Sequence, residues 1–229
     1  MSTGLLSPRV AAANVPVAPA SGPVRPRQVL IKGEAADLQG ILACPDHPVG
    51  AVIVLGDSAR DGGQPAFVAR RLREAGLATL MVGLPERPAR TPGLAQQLVA
   101  LARWVTRQPE TARLPVGVYT ADGATTVADA AATLEPASIG AIVVRGGIPG
   151  GARTDLQGLH AATLFLIESD DPRDSIRTAA ALSGIHGETL VVDLRRVRAS
   201  AAGTPLPHAE LAANRTAEWL VDHLALARA

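Results

Sequence analysis

The chain has 229 residues, of which 47% are hydrophobic and 19% charged, with a formal net charge of +1. That composition excludes a disordered protein and offers no basic field for nucleic acid, and the length suits one domain with a full hydrophobic core. No apolar run approaches the ~20 residues of a membrane helix, and one cysteine, Cys44, excludes an internal disulfide, so a soluble cytoplasmic protein is expected with Cys44 as a small core residue.

Residues 1–26 carry Pro8, Pro16, Pro19, Pro23 and Pro26 among Ala, Val and Ser, so neither a helix nor a sheet ladder runs through them. They read as a disordered tail ahead of a single domain over residues 27–229. Arg9 and the prolines interrupt every stretch that could serve as a signal peptide. Val15, Val17 and Val24, spaced among prolines, also suit an extended recognition segment, which would make the tail a docking peptide for a protein partner.

From Gln28 the pattern becomes regular. Two extended pieces, QVLIK and LQGILACP, are followed by the apolar runs GAVIVLG, LATLMVGL, PVGVYT, GAIVVRGG, ATLFLIES and ETLVVDL. These runs are continuous rather than alternating, so both faces of the sheet should be covered. Helical stretches lie between them. One follows Gln64, with Val68 and Leu72 inward and a stop at Gly76. A second spans Gly93 to Gln108, with Leu94, Leu98, Leu101 and Val105 on one stripe. The last runs from about Pro207 to Leu226. Alternation of this kind, opened by an antiparallel pair, predicts an α/β protein with a doubly wound, mostly parallel sheet that binds ligands at the carboxyl ends of its strands.

The order of these pieces resembles the α/β-hydrolase superfamily, in particular its dienelactone-hydrolase-like branch. The resemblance runs from about Gln28 to Leu226. It rests on GAVIVLG leading into a polar loop, LREAGLATLMVGL, WVTRQPETARLPVG, IGAIVVRGG, LFLIESDDP and AEWLVDHL. It implies a nucleophile on a sharp strand-to-helix turn with the pattern G-x-S-x-G. The matching residues are Thr120, Ala121, Asp122, Gly123 and Ala124, which puts Asp122 where the family has serine. The acid member falls on Asp170, with Asp171 beside it. The family histidine belongs on the loop RRVRASAAGTPLP, which holds none; His208 follows it. The oxyanion loop, which commonly begins His-Gly, here reads Gly56, Asp57, Ser58, Ala59, Arg60.

An aspartate is ionised at neutral pH and attacks without a base, but the ester it forms needs a base to activate water. The alternative to catalysis is structural: Arg145, ending a neighbouring strand, can pair with Asp122. Asp57, Asp122 and Asp170 also follow strands at one edge, an oxygen set that suits Mg²⁺ or Ca²⁺; even so, no metal or cofactor is expected. His47 and His160 read as loop residues, His186 as part of a helix stop and His223 as part of the last helix. His208 is the one histidine placed to turn toward Asp170.

The expected function is therefore that of a hydrolase homologue with a degenerate triad, non-catalytic or weakly active, which binds a small molecule or a protein partner. Asp57, Ser58, Gly123 and Arg145 are its candidate ligand residues, and Asp122, Asp170 and His208 its candidate catalytic ones. The alternative is an active hydrolase of esters, lactones or halides using Asp122, or Ser58, as nucleophile. Deleting residues 1–26 should leave the thermal midpoint almost unchanged, because a proline-broken segment contributes little burial; a fall of many degrees in a melting scan would place the tail against the domain.

Overall fold

The computed structural model describes residues 24–32, 37–56, 63–83, 93–121, 139–146, 159–168, 186–194 and 208–227. In chain order its elements are β1 (Arg27–Ile31), β2 (Leu38–Ala43), β3 (Gly50–Leu55), α1 (Gln64–Glu74), β4 (Leu77–Val82), α2 (Gly93–Val105), β5 (Val116–Ala121), β6 (Ala141–Arg145), β7 (Ala162–Ile167), β8 (Thr189–Asp193) and α3 (His208–Leu226). The strands form one eight-stranded sheet in the order β1-β2-β4-β3-β5-β6-β7-β8. β1 and β2 pair antiparallel, as do β2 and β4, and every other neighbour is parallel. This is the doubly wound arrangement that the alternation of runs and stripes predicts.

The continuous apolar runs become central strands because helices cover both faces. On one face Ile53, Leu55, Val118, Ile142 and Val144 pack with Leu98, Leu101 and Val105 of α2. On the other, Val52, Val54, Tyr119, Val143, Leu164 and Leu166 pack with Val68 and Leu72 of α1 and with Leu220 and Leu224 of α3. α3 lies very close to the sheet. A Cβ on Gly117 would come within 2.9 Å of Leu220, and one on Gly50 within 2.9 Å of Leu224.

Element ends follow local chemistry. α1 begins with Pro65 in its first turn, carries Arg71 and Arg73 in its last, where cations suit the dipole, and gives way at Gly76 (φ 82°). α2 ends at Val105, the last residue of its stripe and three residues short of the expected Gln108, and buried Thr111 donates its hydroxyl to the Val105 carbonyl at 2.6 Å, which satisfies an end group that the helix leaves free. β8 differs from expectation. Its apolar run reads as a covered strand, but it is the last strand of the sheet, none of its residues is fully buried, and Leu190 is 46% exposed. Among the described residues, no helix is long and apolar enough to cross a membrane.

The start of β8 is held by a close approach. A Cβ on Gly187 would stand 2.6 Å from the carbonyl oxygens of both His160 and Ala161, beside the Thr163 N–H that donates to the Glu188 carbonyl at 2.8 Å. Backbone oxygens cannot rotate aside, so Gly187→Ala should cost about 1–3 kcal/mol of stability. The check is the urea midpoint, and an unchanged midpoint would mean that the two strand starts slide apart freely.

Candidate functional site at the carboxyl edge of the sheet

The chain leaves β3 through α1 on one face of the sheet and leaves β4 through α2 on the other, crossing back past β3 to reach β5. The switch in direction lies between β3 and β5, where Leu55 is level with Thr120. A crevice for a ligand forms outside the strands at such a point. Gly56 directly follows β3, Ala121 ends β5, Arg145 ends β6 and Glu168 directly follows β7. The carboxyl ends of four adjacent parallel strands therefore meet here. Asp57, Ser58, Asp122, Gly123 and Asp170, the remaining candidates at this edge, lie outside the described residues.

Arg145 is level with Ala121 on one side and Leu166 on the other. Its guanidinium is largely buried, with 13% of the side chain exposed against 30% for Glu168. It grips Glu168 with both arms: Nη2 donates to Oε1 at 2.7 Å and to Oε2 at 2.9 Å, and Nε donates to Oε1 at 3.1 Å. Nη1 donates to Oε1 of Gln64, at the start of α1, at 2.8 Å. Burial works against the charge on Arg145, but the Glu168 hydrogen bonds, helped by buried Tyr119 on β5, more than offset it and hold the guanidinium above its usual range. One side chain thus ties the ends of β6 and β7 to the first turn of α1.

The expected partner of Arg145 was Asp122; the carboxylate found on it among the described residues is Glu168. Sequence reasoning missed Glu168, Gln64 and Tyr119. The signal for Glu168 was partial: AIVVR and LFLIES are consecutive apolar runs ending in polar residues, but Arg145 is level with Leu166, and Glu168 reaches it from two residues further on, just beyond β7.

All five histidines are described, and four lie at the opposite, amino edge. His47 sits in the turn before β3 with φ 54°, and His160 and His186 precede β7 and β8, their rings stacked at 5.6 Å. His223 donates from Nδ1 to the Trp219 carbonyl at 2.8 Å, lies tilted by 33° against the Trp219 ring with centroids 3.9 Å apart and places Nε2 3.4 Å from Glu188. His208 alone belongs to the carboxyl edge: α3 starts there and runs back until Leu224 meets Gly50 and Gly140 near the amino ends of the strands. It is the first residue of the helix and is exposed. Cys44 follows β2, half-buried at the amino edge, where burial pushes its thiol up, Glu110 adds to the effect and Arg27 opposes it. Among the described residues, no three metal-ligating side chains converge.

No family model matches the chain. Two curated proteins from two strains of Mycobacterium tuberculosis, both provisionally named phosphoribosyl transferases, are 31% identical to it over 226 aligned positions. The match takes in 90% of this chain but 48% of each of them, so the chain spans about half the length of these curated relatives. Among solved structures, a dienelactone hydrolase from Anabaena variabilis superposes with a TM-score of 0.71 at 26% identity, over 88% of this chain and 99% of its own. The esterase domain of a Rhodothermus marinus protein gives 0.65 at 16% identity, over 87% of this chain and 100% of its own. A dienelactone hydrolase-like promiscuous phosphotriesterase from metagenomic libraries gives 0.63 at 20% identity, over 89% of this chain and 99% of its own.

The Arg145 clamp yields a stability test. Arg145→Ala leaves Glu168 without its cation and should lose about 3 kcal/mol, whereas replacing both, as Arg145→Met with Glu168→Leu, should lose much less. Chemical denaturation of the two single variants and the double measures the coupling; additive losses would mean that the pair does not act as a unit.

Proposed function

We propose that the chain, whose sheet has the fold of the dienelactone-hydrolase-like α/β hydrolases it superposes on, binds a small ligand at the carboxyl edge with at most feeble turnover. The observation that carries this reading is the distribution of histidines. Four of the five are at the amino edge, and the fifth, His208, is exposed at the start of α3. The position matching the family serine is Asp122. A carboxylate there can accept an acyl or alkyl group, but releasing it requires a base that activates water, and histidine is the usual group for that task. What remains is binding and oxyanion stabilisation, which alone give about 10³–10⁴ over the uncatalysed rate.

Phosphoribosyl transfer, named for the longer Mycobacterium tuberculosis proteins, we assign to the portion of them that this chain does not span. The support is coverage: the chain accounts for 99% of the dienelactone hydrolase structure and 48% of those relatives. The residues shared with them are thus those that build a hydrolase-type sheet. A protein partner held through residues 1–26 belongs to the same proposal and would bring that ligand site into an assembly.

Short p-nitrophenyl esters and a fluorophosphonate probe test the reading. The protein should hydrolyse the esters no faster than an Asp122→Ala variant, and the probe should leave it unlabelled. Turnover abolished by Asp122→Ala would establish a working aspartate nucleophile, and stoichiometric labelling at Ser58 would establish a serine one.

A further inference from the structure

The β1–β2 hairpin carries apolar side chains where an edge hairpin faces water. Its register sets Gln28 against Ile41 and Leu30 against Gln39, and the next pairing sets Ile41 against Met81 of β4. Leu30, Ile41 and Met81 therefore run diagonally across three strands on one face. Val29, Ile31, Leu38 and Leu42 fill the core on the other. Leu30 is 54% exposed and Ile41 37%. The inward residues already supply the hairpin's share of the core, and an edge pair is safer with charged outward positions; folding alone does not call for these two side chains.

Together with Gly56 and Gly83, at the ends of β3 and β4, this face encloses an open cavity of about 500 Å³, a size within the range of small-molecule sites. None of the described residues lining it is charged. Gly56 connects it to the crevice at the switch point. Among the described residues nothing lies within 4 Å of where a Cβ on Gly83 would stand.

We propose that this cavity is a subsite for an uncharged, largely apolar part of a small ligand that extends from the carboxyl edge past Gly56 and Gly83 onto Leu30, Ile41 and Met81. The inference rests on the ligand-binding reading above and names the chemistry of what is bound. An apolar group gains by leaving water for this surface, whereas an ionised group would lose hydration with no counter-charge among the described lining residues to meet it. The Gln28 and Gln39 amides, on either side of the stripe, offer both donors and acceptors and suit a neutral polar substituent such as a carbonyl.

The test is a fluorescence titration of the full chain with Nile red, an uncharged apolar dye. Wild type should bind it saturably with blue-shifted emission. Gly83→Leu, which directs a side chain into the open space, and Ile41→Gln, which breaks the stripe, should each weaken binding by roughly tenfold. Leu190→Gln, on the opposite edge of the sheet, should change nothing, and thermal midpoints establish that each variant is folded. No saturable binding by wild type, or binding unaffected by both Gly83→Leu and Ile41→Gln, would overturn the proposal. Binding that appears only when residues 1–23 are removed would give the cavity to the chain's own tail. A dimer on gel filtration that Ile41→Gln dissociates would give it to a second copy. Either result displaces the small molecule. The ester assay stands apart: turnover abolished by Asp122→Ala defeats the non-catalytic reading whatever the dye does, and a failed dye titration without turnover defeats the subsite alone.

Discussion

Where helices cover a parallel sheet on both faces, a charged side chain has one tolerable place, the end of a strand. All six residues of β3 are buried, as are the first five of β5 and the first four of β6. An isolated charge within such a run would lose its hydration at a cost of several kcal/mol. Arg145 and Glu168 obey this constraint, one as the last residue of its strand and the other just beyond. Their bidentate contact is the interaction on which the described part of the carboxyl edge depends, because β6, β7 and α1 all answer to it. A pair of this kind adds little net stability over an apolar substitute, and its contribution is to specify one arrangement.

The same constraint divides the molecule's chemistry between two edges. At the carboxyl edge the described ionic groups, Arg145 and Glu168, neutralise one another. At the amino edge the histidines are taken up in local structure, His223 most plainly, between a tryptophan ring, a helix carbonyl and Glu188. A hydrolase needs a base and a nucleophile at one edge. In this chain four of the five imidazoles are separated from the crevice by the height of the sheet, and the fifth, His208, stands exposed at the start of α3.

Much of the fold was legible because its signals are local. Continuous apolar runs, a Gly76 stop and the stripe of Leu98, Leu101 and Val105 each report on their own neighbourhood. Sheet edges were less legible. The run at β8 has the composition of a central strand, and only its place in the strand order exposes Leu190. The clamp was half legible: Arg145 could be placed at the right edge from its strand, but its partner depends on which strand lies on its other side, a relation between elements. The end of α2 at Val105 turns on Thr111 folding back across a loop, and helical periodicity carries no information about that.

α3 sits on glycines. Gly50 and Gly117, with Gly140 beside them, form a shallow trough in the sheet that Leu220 and Leu224 fill, and the strands that form it are synthesised well before the helix that occupies it. The face shared by α1 and α3 lacks Leu220 and Leu224 until His208–Leu226 has left the ribosome. During that interval the nascent sheet presents an apolar trough of the shape that a chaperone, or the helix of a neighbouring chain, would fill.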